Sequence, residues 1–323
     1  MTAVSNHVDG INVIDLKDKP KWAAGGLLSD LVNALIAFKP LFGLMKLGAR
    51  SLLIDGAEKN GVPWRERAAA LEEKSSGVLE AYYKEVEREG TEYPDYYTQE
   101  FHAYDEGNLN WLAAYECESA TMSMALRVYP KDKLTAVQAQ DKLRDAIIDA
   151  ITTHLGKQPE KVLDLGCSVG VSTFYLAQKY PEAIVIDGID LSPYFLAVAK
   201  QRQQLILGAA GGDTKGVEGT GYKWEDLSRF ADSAVSRIRW IHGIAERTQQ
   251  PDNTYDVIAA TFLFHELPTK PSDAIIQEMF RITAKGGVVA ITDNDPRSAV
   301  IQGLPPAIFT LMKSTVSTRH CMR

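Results

Sequence analysis

Cysteine is scarce in this chain, with Cys117, Cys167 and Cys321 its three representatives and no pair at CxxC spacing. So sparse a set excludes a disulfide framework and a thiolate zinc site, and is expected of a reducing, cytoplasmic setting. An excess of basic charge is missing too. Thirty-five Lys and Arg face 42 Asp and Glu, for a net charge of −7 and a pI near 5.5. That balance gives no electrostatic case for a nucleic-acid partner. Long hydrophobic runs are absent as well. The most apolar window, Gly25 to Gly48, is broken by Asp30, Lys39, Pro40 and Lys46. No span of about 20 apolar residues is available to cross a membrane. The N-terminus has neither a basic and apolar signal pattern nor the acid-poor character of a transit peptide. Two nucleotide-binding signatures, GxGxxG and the lysine of a phosphate-binding loop, are also absent. What remains is 323 residues, 45% hydrophobic and 24% charged, the balance of a globular protein of about two domains.

Residues 1–21 show no periodicity and read as a flexible tail. Residues 22–150 form a helical cap in this reading. Leu27 to Leu53 carries apolar residues at helical spacing interrupted near Pro40, which predicts two amphipathic helices. Their stripe is expected to pack on the main domain; peripheral membrane contact through residues 24–53 is the alternative. Charged and mixed helices are expected over Trp64–Glu89, through Tyr115 to Leu126, and over Leu143–Leu155, with an aromatic stretch, YPDYYTQEFHAYDEGNLNW, between the first two.

From residue 151 to 323 the pattern is that of a second domain. KVLDLG, AIVIDGID, IRWIHGIAE, YDVIAATFLF and GGVVAITDND are short apolar runs separated by helical segments. Five buried-type strands alternating with helices predict an α/β, Rossmann-like, doubly wound and mostly parallel sheet. The stretch from Gly208 to Gly221 holds six glycines and reads as a flexible loop.

Ligands of such sheets bind beyond the carboxyl ends of the strands. There the first strand runs Val162-Leu163-Asp164-Leu165-Gly166-Cys167-Ser168-Val169-Gly170 into a helix. Gly166 and Gly170 lack Cβ atoms and would let a ligand approach the backbone closely. Asp164 can meet a cation or orient the turn, or simply cap the helix. Asp190 ends the second strand twenty residues after Gly170, where an acid can accept from both hydroxyls of a ribose or cap the helix that Pro193 opens. Glu246 follows the third strand. Asp256 is expected to be a turn residue entering the fourth, and the polar pair His265-Glu266 ends it.

The segments DLGCSVG, GIDLSPYFLAVA, GIAE, PDNTYDVIAATFLFHEL and AKGGVVAITDND, in that order, resemble the successive motifs of class I S-adenosylmethionine-dependent methyltransferases. The nearest likeness is to the branch that includes ubiquinone/menaquinone C-methyltransferases. The resemblance covers roughly residues 155–295. It implies S-adenosyl-L-methionine as cofactor and a small organic molecule as methyl acceptor. By that likeness Asp164, Gly166 and Gly170 hold the methionine part, Asp190 the ribose, and Ala245 and Glu246 the adenine edge.

Methyl transfer from a sulfonium is an in-line displacement in which alignment supplies much of the acceleration. A base is needed only where the acceptor is a hydroxyl, an acidic carbon or a protonated amine. His265 is the candidate base, with Glu266 as orienter or alternative; both can equally serve packing or substrate orientation. Asp293 and Asn294 leave the fifth strand on the ligand side and are expected to touch the acceptor. No complete metal-ligand set accompanies them, so no metal is expected. The cluster Tyr96, Tyr97, Phe101, His102, Tyr104, Asp105 and Glu106 reads either as a lid, with Tyr97 and Tyr104 reaching substrate, or as an interface between helical layers. Family members continue after the fifth strand to a seven-stranded sheet. Here about 28 residues follow Asp295, with one helix expected at Leu304–Lys313, so strands six and seven are expected to be missing. The competing readings are C-methylation of a prenylated quinone or lipid, and a non-catalytic cofactor-binding or interaction protein. A nicotinamide oxidoreductase is disfavoured by the missing GxGxxG.

Overall fold

The computed structural model describes residues 39–100, 104–208 and 227–295, together with Ser298 and Gly303. The N-terminal tail, the first expected amphipathic helix, Phe101, His102, the glycine-rich loop, Cys321 and the Leu304–Lys313 helix lie outside these residues, as does any strand after the fifth.

Among the described residues four helices come first: α1 (Lys39–Lys59), α2 (Trp64–Val86), α3 (Trp111–Val128) and α4 (Ala136–Leu155). An alternating series follows, with β1 (Lys161–Leu165), α5 (Val171–Lys179), β2 (Val185–Asp190), α6 (Pro193–Gly208), the short α7 (Asp232–Val235), β3 (Ile238–His242), β4 (Tyr255–Thr261), α8 (Thr269–Ile282) and β5 (Thr283–Thr292). Among the described residues the sheet has five strands, all parallel, in the order β3-β2-β1-β4-β5. The order reverses between β1 and β4, so the crevice for a ligand lies beyond their carboxyl ends. No described helix is long and apolar enough to cross a membrane.

Period-two alternation along the strands assigns the two faces. Val162, Ile186, Val257 and Ala259 point into a large cluster with Phe174 and Leu176 of α5 and Val198 of α6. Leu163, Leu165, Ile189 and Ile258 point the other way, onto Ile275, Met279 and Ile282 of α8. The first cluster also takes in Leu79, Ala114, Ile148 and Ile151 from the helical region. Cap and sheet therefore share one core, and α4 runs unbroken through the expected boundary at residues 150/151. It also begins seven residues earlier than periodicity suggested. Thr135 and Gln138 form a reciprocal capping box ahead of its first turn, and Gly156 closes it in a left-handed conformation.

Ser192 caps α6 as its Ser-Pro start implied, its Oγ accepting from Phe195 N at 3.3 Å and donating to the Asn108 carbonyl at 2.7 Å. Asp256 does more than open β4. Its carboxylate accepts from Lys157 Nζ and from the backbone of Glu160 and Lys161, tying down the start of β1.

Candidate active site

The turn after β1 is fastened to β2. Gly166 N and Cys167 N both donate to Ile189 O, and Ser168 N donates to Asp190 Oδ2 at 2.8 Å. Asp190 Oδ1 accepts from Ser192 N at the same distance. The strand-end acid thus binds two loops together while each oxygen keeps acceptor capacity. Burial pushes its carboxyl up to about 6, only partly offset by those two N–H groups, because no cation stands against it. A buried carboxylate with spare acceptor capacity at the end of β2 suits the hydroxyls of a ribose, and this is the observation that fits a nucleoside to the site.

A cavity of about 640 Å³ opens above these strand ends. Of the residues singled out in the sequence, Gly166, Asp190, Ala245 and Glu246 line it on one side. His265, Glu266, Asp293 and Asn294 line it on the other, and Tyr97 and Tyr104 from the cap. Asp164 and Gly170 do not. The Asp164 carboxylate lies under the turn and accepts from Thr173 Oγ1 at 2.6 Å. Gly170 caps α5 at φ 79, where an added Cβ would meet Trp240 at 2.5 Å. Its missing side chain makes room for a tryptophan of β3, not for a ligand. Gly166, at φ 73, likewise has Leu263 within 2.9 Å of a notional Cβ.

Beyond β4 the chain makes a short 3₁₀ turn over Phe264–Glu266 that aims His265 back toward β5. Asp293 is its partner. Its Oδ2 accepts from His265 N at 2.9 Å and its Oδ1 lies 2.8 Å from Nδ1. Glu266 is further off, 3.9 Å from Nε2, so the orienting acid is Asp293. Asp293 also accepts from Asn294 N, so its carboxylate is committed to the histidine and its own loop. Burial alone would lower the His265 pKa. The Asp293 hydrogen bond and the charges of Glu266 and Asp293 outweigh it, and the net shift is upward.

The described part of the aromatic stretch contributes Tyr96, Tyr97, Tyr104 and Asn108 to the cavity wall. Tyr96 donates to Glu246 Oε1 at 2.6 Å, and Asn108 Nδ2 donates to Glu266 Oε2 at 3.2 Å. The buried His242 anchors its start, with Nδ1 accepting from Arg88 N at 2.9 Å and Nε2 within 3.0 Å of Leu191 O. Tyr104 lines the cavity, but its hydroxyl donates to Glu116, which also holds Arg50. Cys117 lines it too, and burial pushes its thiol up to about 11, which leaves no thiolate at neutral pH. Among the described residues no three His, Cys, Asp or Glu side chains gather as a metal set. The residues that sequence reasoning did not assign are Tyr96 as a partner of Glu246, Asp293 as the orienter of His265, and Arg144 and Phe262 in the cavity wall.

Residues 163–291 match the family model described as a methyltransferase domain. Over 137 residues the chain is 30% identical to phosphoethanolamine N-methyltransferase 1 of Arabidopsis thaliana, spanning 42% of this chain and 21% of that protein. A shorter segment of 44 residues is 50% identical to trans-aconitate 2-methyltransferase of Methylobacterium nodulans, covering 14% of this chain and 17% of that one. Among solved structures, phosphoethanolamine N-methyltransferase 1 of Haemonchus contortus in complex with phosphoethanolamine and S-adenosylhomocysteine aligns at 19% identity and a TM-score of 0.32. That alignment spans 51% of this chain and 26% of that one. The chain spans about a fifth of the length of the first of these relatives.

Proposed function

From a methyltransferase domain over residues 163–291, we propose that the chain transfers the methyl group of S-adenosylmethionine to a small organic acceptor. The observation that carries this reading is the single cavity wall joining Asp190 and Glu246, suited to a nucleoside, to His265 with Asp293 behind it. Asp190 would take the ribose hydroxyls and Glu246 the adenine edge, while the turn at Gly166–Ser168 would lie against the methionine part. When bound, the cofactor supplies an electrophilic methyl group and a good leaving group. The remaining work falls to the chain. The lid residues Tyr96 and Tyr97 exclude water and hold the reactants in line. Asp293 accepts from Nδ1–H of His265, leaving Nε2 as the nitrogen that takes a proton from an acceptor O–H, N–H or acidic C–H. Leu53, Trp64, Met124, Val128 and Leu143 give the cap side of the cavity an apolar wall. That wall suits an acceptor with a hydrocarbon part, and it supports the quinone C-methyltransferase branch as the finer assignment.

The test is a thermal-shift titration of the full chain with S-adenosylmethionine, S-adenosylhomocysteine and NAD. A ligand at a hundred times its Kd stabilises by about 2.7 kcal/mol, a shift of a few degrees. Stabilisation by the first two alone is the expected result. No shift with any of them, or a shift with NAD alone, would sink the proposal.

A further inference from the structure

Among the described residues, a buried cation in the cavity wall has no anion beside it. Arg144, on α4, is 5% exposed and lines the cavity, yet its Nε and Nη1 are enclosed and have no hydrogen-bond partner. Its guanidinium carbon lies 5.7 Å from the centroid of the Phe262 ring. That ring is held in place by a non-glycine residue at φ 59 whose N–H donates to Thr292 O at 2.7 Å. Asp164 acts on Arg144 through space but forms no ion pair with it, its carboxylate being turned to Thr173. Tyr175 and Cys117, the other titratable groups that act on it, are neutral at pH 7, desolvation raising both. Burial is the largest influence and pulls the guanidinium pKa down. Other buried arginines are treated differently: Arg67 and Arg202 share Glu118, at 2.8 and 2.9 Å. A second arginine of the cavity wall, Arg127 at the end of α3, has neither ion pair nor hydrogen bond among the described residues. Isolated charges are expensive to bury. A guanidinium that lines a cavity with no anion beside it among the described residues suits an oxygen of a carboxylate or phosphate.

We propose that Arg144, with Arg127 as a second cation, forms an anion subsite in this cavity that binds a carboxylate or phosphate group. The inference deepens the methyltransferase reading and rests on it for the two sources of that anion. One is an acidic acceptor; the other is the α-carboxylate of the cofactor.

Thermal melting of the full chain and of Arg144→Met separates them, with S-adenosylhomocysteine, 5′-methylthioadenosine (the same nucleoside without the amino acid), citrate and inorganic phosphate as probes. Ligand-free Arg144→Met is expected to melt no lower than the parent, because it buries a thioether where an unpartnered cation stood. Anion recognition is expected to weaken at least tenfold. If S-adenosylhomocysteine weakens while methylthioadenosine does not, the anion is the cofactor's carboxylate. If both nucleosides bind as before and stabilisation by citrate or phosphate is lost, the anion belongs to the acceptor. Arg144→Lys, which keeps the charge but not the guanidinium, should fall between, and Arg127→Met should show a smaller loss of the same kind. The proposal is overturned if Arg144→Met melts lower without ligand and weakens every probe equally, which would make Arg144 structural. It is overturned as well if every probe acts on the variant as on the parent. Failure of the methyltransferase reading would look different: neither nucleoside would stabilise even the parent chain, whatever citrate and phosphate did.

Discussion

Two buried aspartates three residues apart on β2 meet opposite fates. Asp187, on the face toward α8, is wholly enclosed, and its two oxygens accept from Arg239 Nε and Nη2 at 2.7 Å and from the Tyr255 hydroxyl at 2.6 Å. Asp190, at the strand's end beside the cavity, has only backbone N–H partners, and burial pushes its carboxyl up to about 6. The division runs through the molecule. Glu118 lies between Arg67 and Arg202, whose charges outweigh its burial and hold its pKa down. Glu278 is held down by Arg281 and Thr248 in the same way. Around the cavity, by contrast, Asp190 is pushed up and Arg144 is pulled down. Asp187, Glu118 and Glu278 are thus neutralised inside the fold, whereas Asp190 and Arg144, in the cavity wall, have no ion-pair partner among the described residues.

The largest expected effect tests the structural side. Asp187→Ala leaves the hydroxyl of the fully buried Tyr255 without an acceptor and opens a small void between β2 and β4. Arg239, 60% exposed at its side chain, stays hydrated and adds little. The cost should be about 3 kcal/mol in urea unfolding. At a urea concentration where the variant is folded, its affinity for S-adenosylhomocysteine should be unaltered. A loss under about 1 kcal/mol, or a selective loss of ligand, would erase the distinction between the two aspartates.

The next effect has the opposite sign. Burial, only partly offset by Thr173 and Arg144, pushes Asp164 up to about 6 from 3.8. The folded chain then binds more protons than the unfolded one between these values. This group's contribution to stability therefore grows as pH falls from about 6 to about 4, and it is a net cost at pH 7. Asp164→Asn keeps an acceptor for Thr173 and removes that cost, although Arg144 loses its nearest counter-charge. The variant should be more stable than the parent by about 1 kcal/mol at pH 7, with the gain gone by pH 4. Equal destabilisation at both pH values would mean that Asp164 is as much a structural charge as Asp187.

How far all this could be read in the sequence follows the range of the interactions. The strands were legible because buried parallel strands are continuous apolar runs, and Asp190 because a strand-end acid beside a glycine turn is a local pattern. The start of α4 had a local signal as well, Thr135 three residues before Gln138, although apolar periodicity placed it later. Gly170 shows the limit. A sequence records that a Cβ is missing but not what fills the space, and Trp240 lies 70 positions away. The bond of Tyr96 to Glu246 spans 150 residues, and that of His265 to Asp293 spans 28 across neighbouring strand ends. No spacing rule encodes either. Arg144 was the least visible, since an arginine in a helix reads as solvated until the fold encloses it.

The smallest effect belongs to the pair that joins the two sides of the comparison, a charge partnered within the fold yet facing the cavity. Asp293 raises the His265 pKa against burial, so the charged pair stabilises fully below the ordinary histidine value of about 6.5 and fades as pH rises through the folded value. Asp293→Asn should therefore cost more at pH 6 than at pH 8, by about 1 kcal/mol or less, since the side chains are part-exposed at 22% and 17%. In the same variant the imidazole should titrate at lower pH, as followed by the His265 ring-proton NMR shift. An asparagine at this position also accepts from Nδ1–H less strongly than a carboxylate, so the tautomer that leaves Nε2 as base is less firmly held. An unmoved titration, together with an equal stability loss at pH 6 and pH 8, would mean that Asp293 only anchors the His265 backbone. His265 would then join Asp187 on the structural side, and a proton acceptor for the proposed methyl transfer would have to be sought in Glu266.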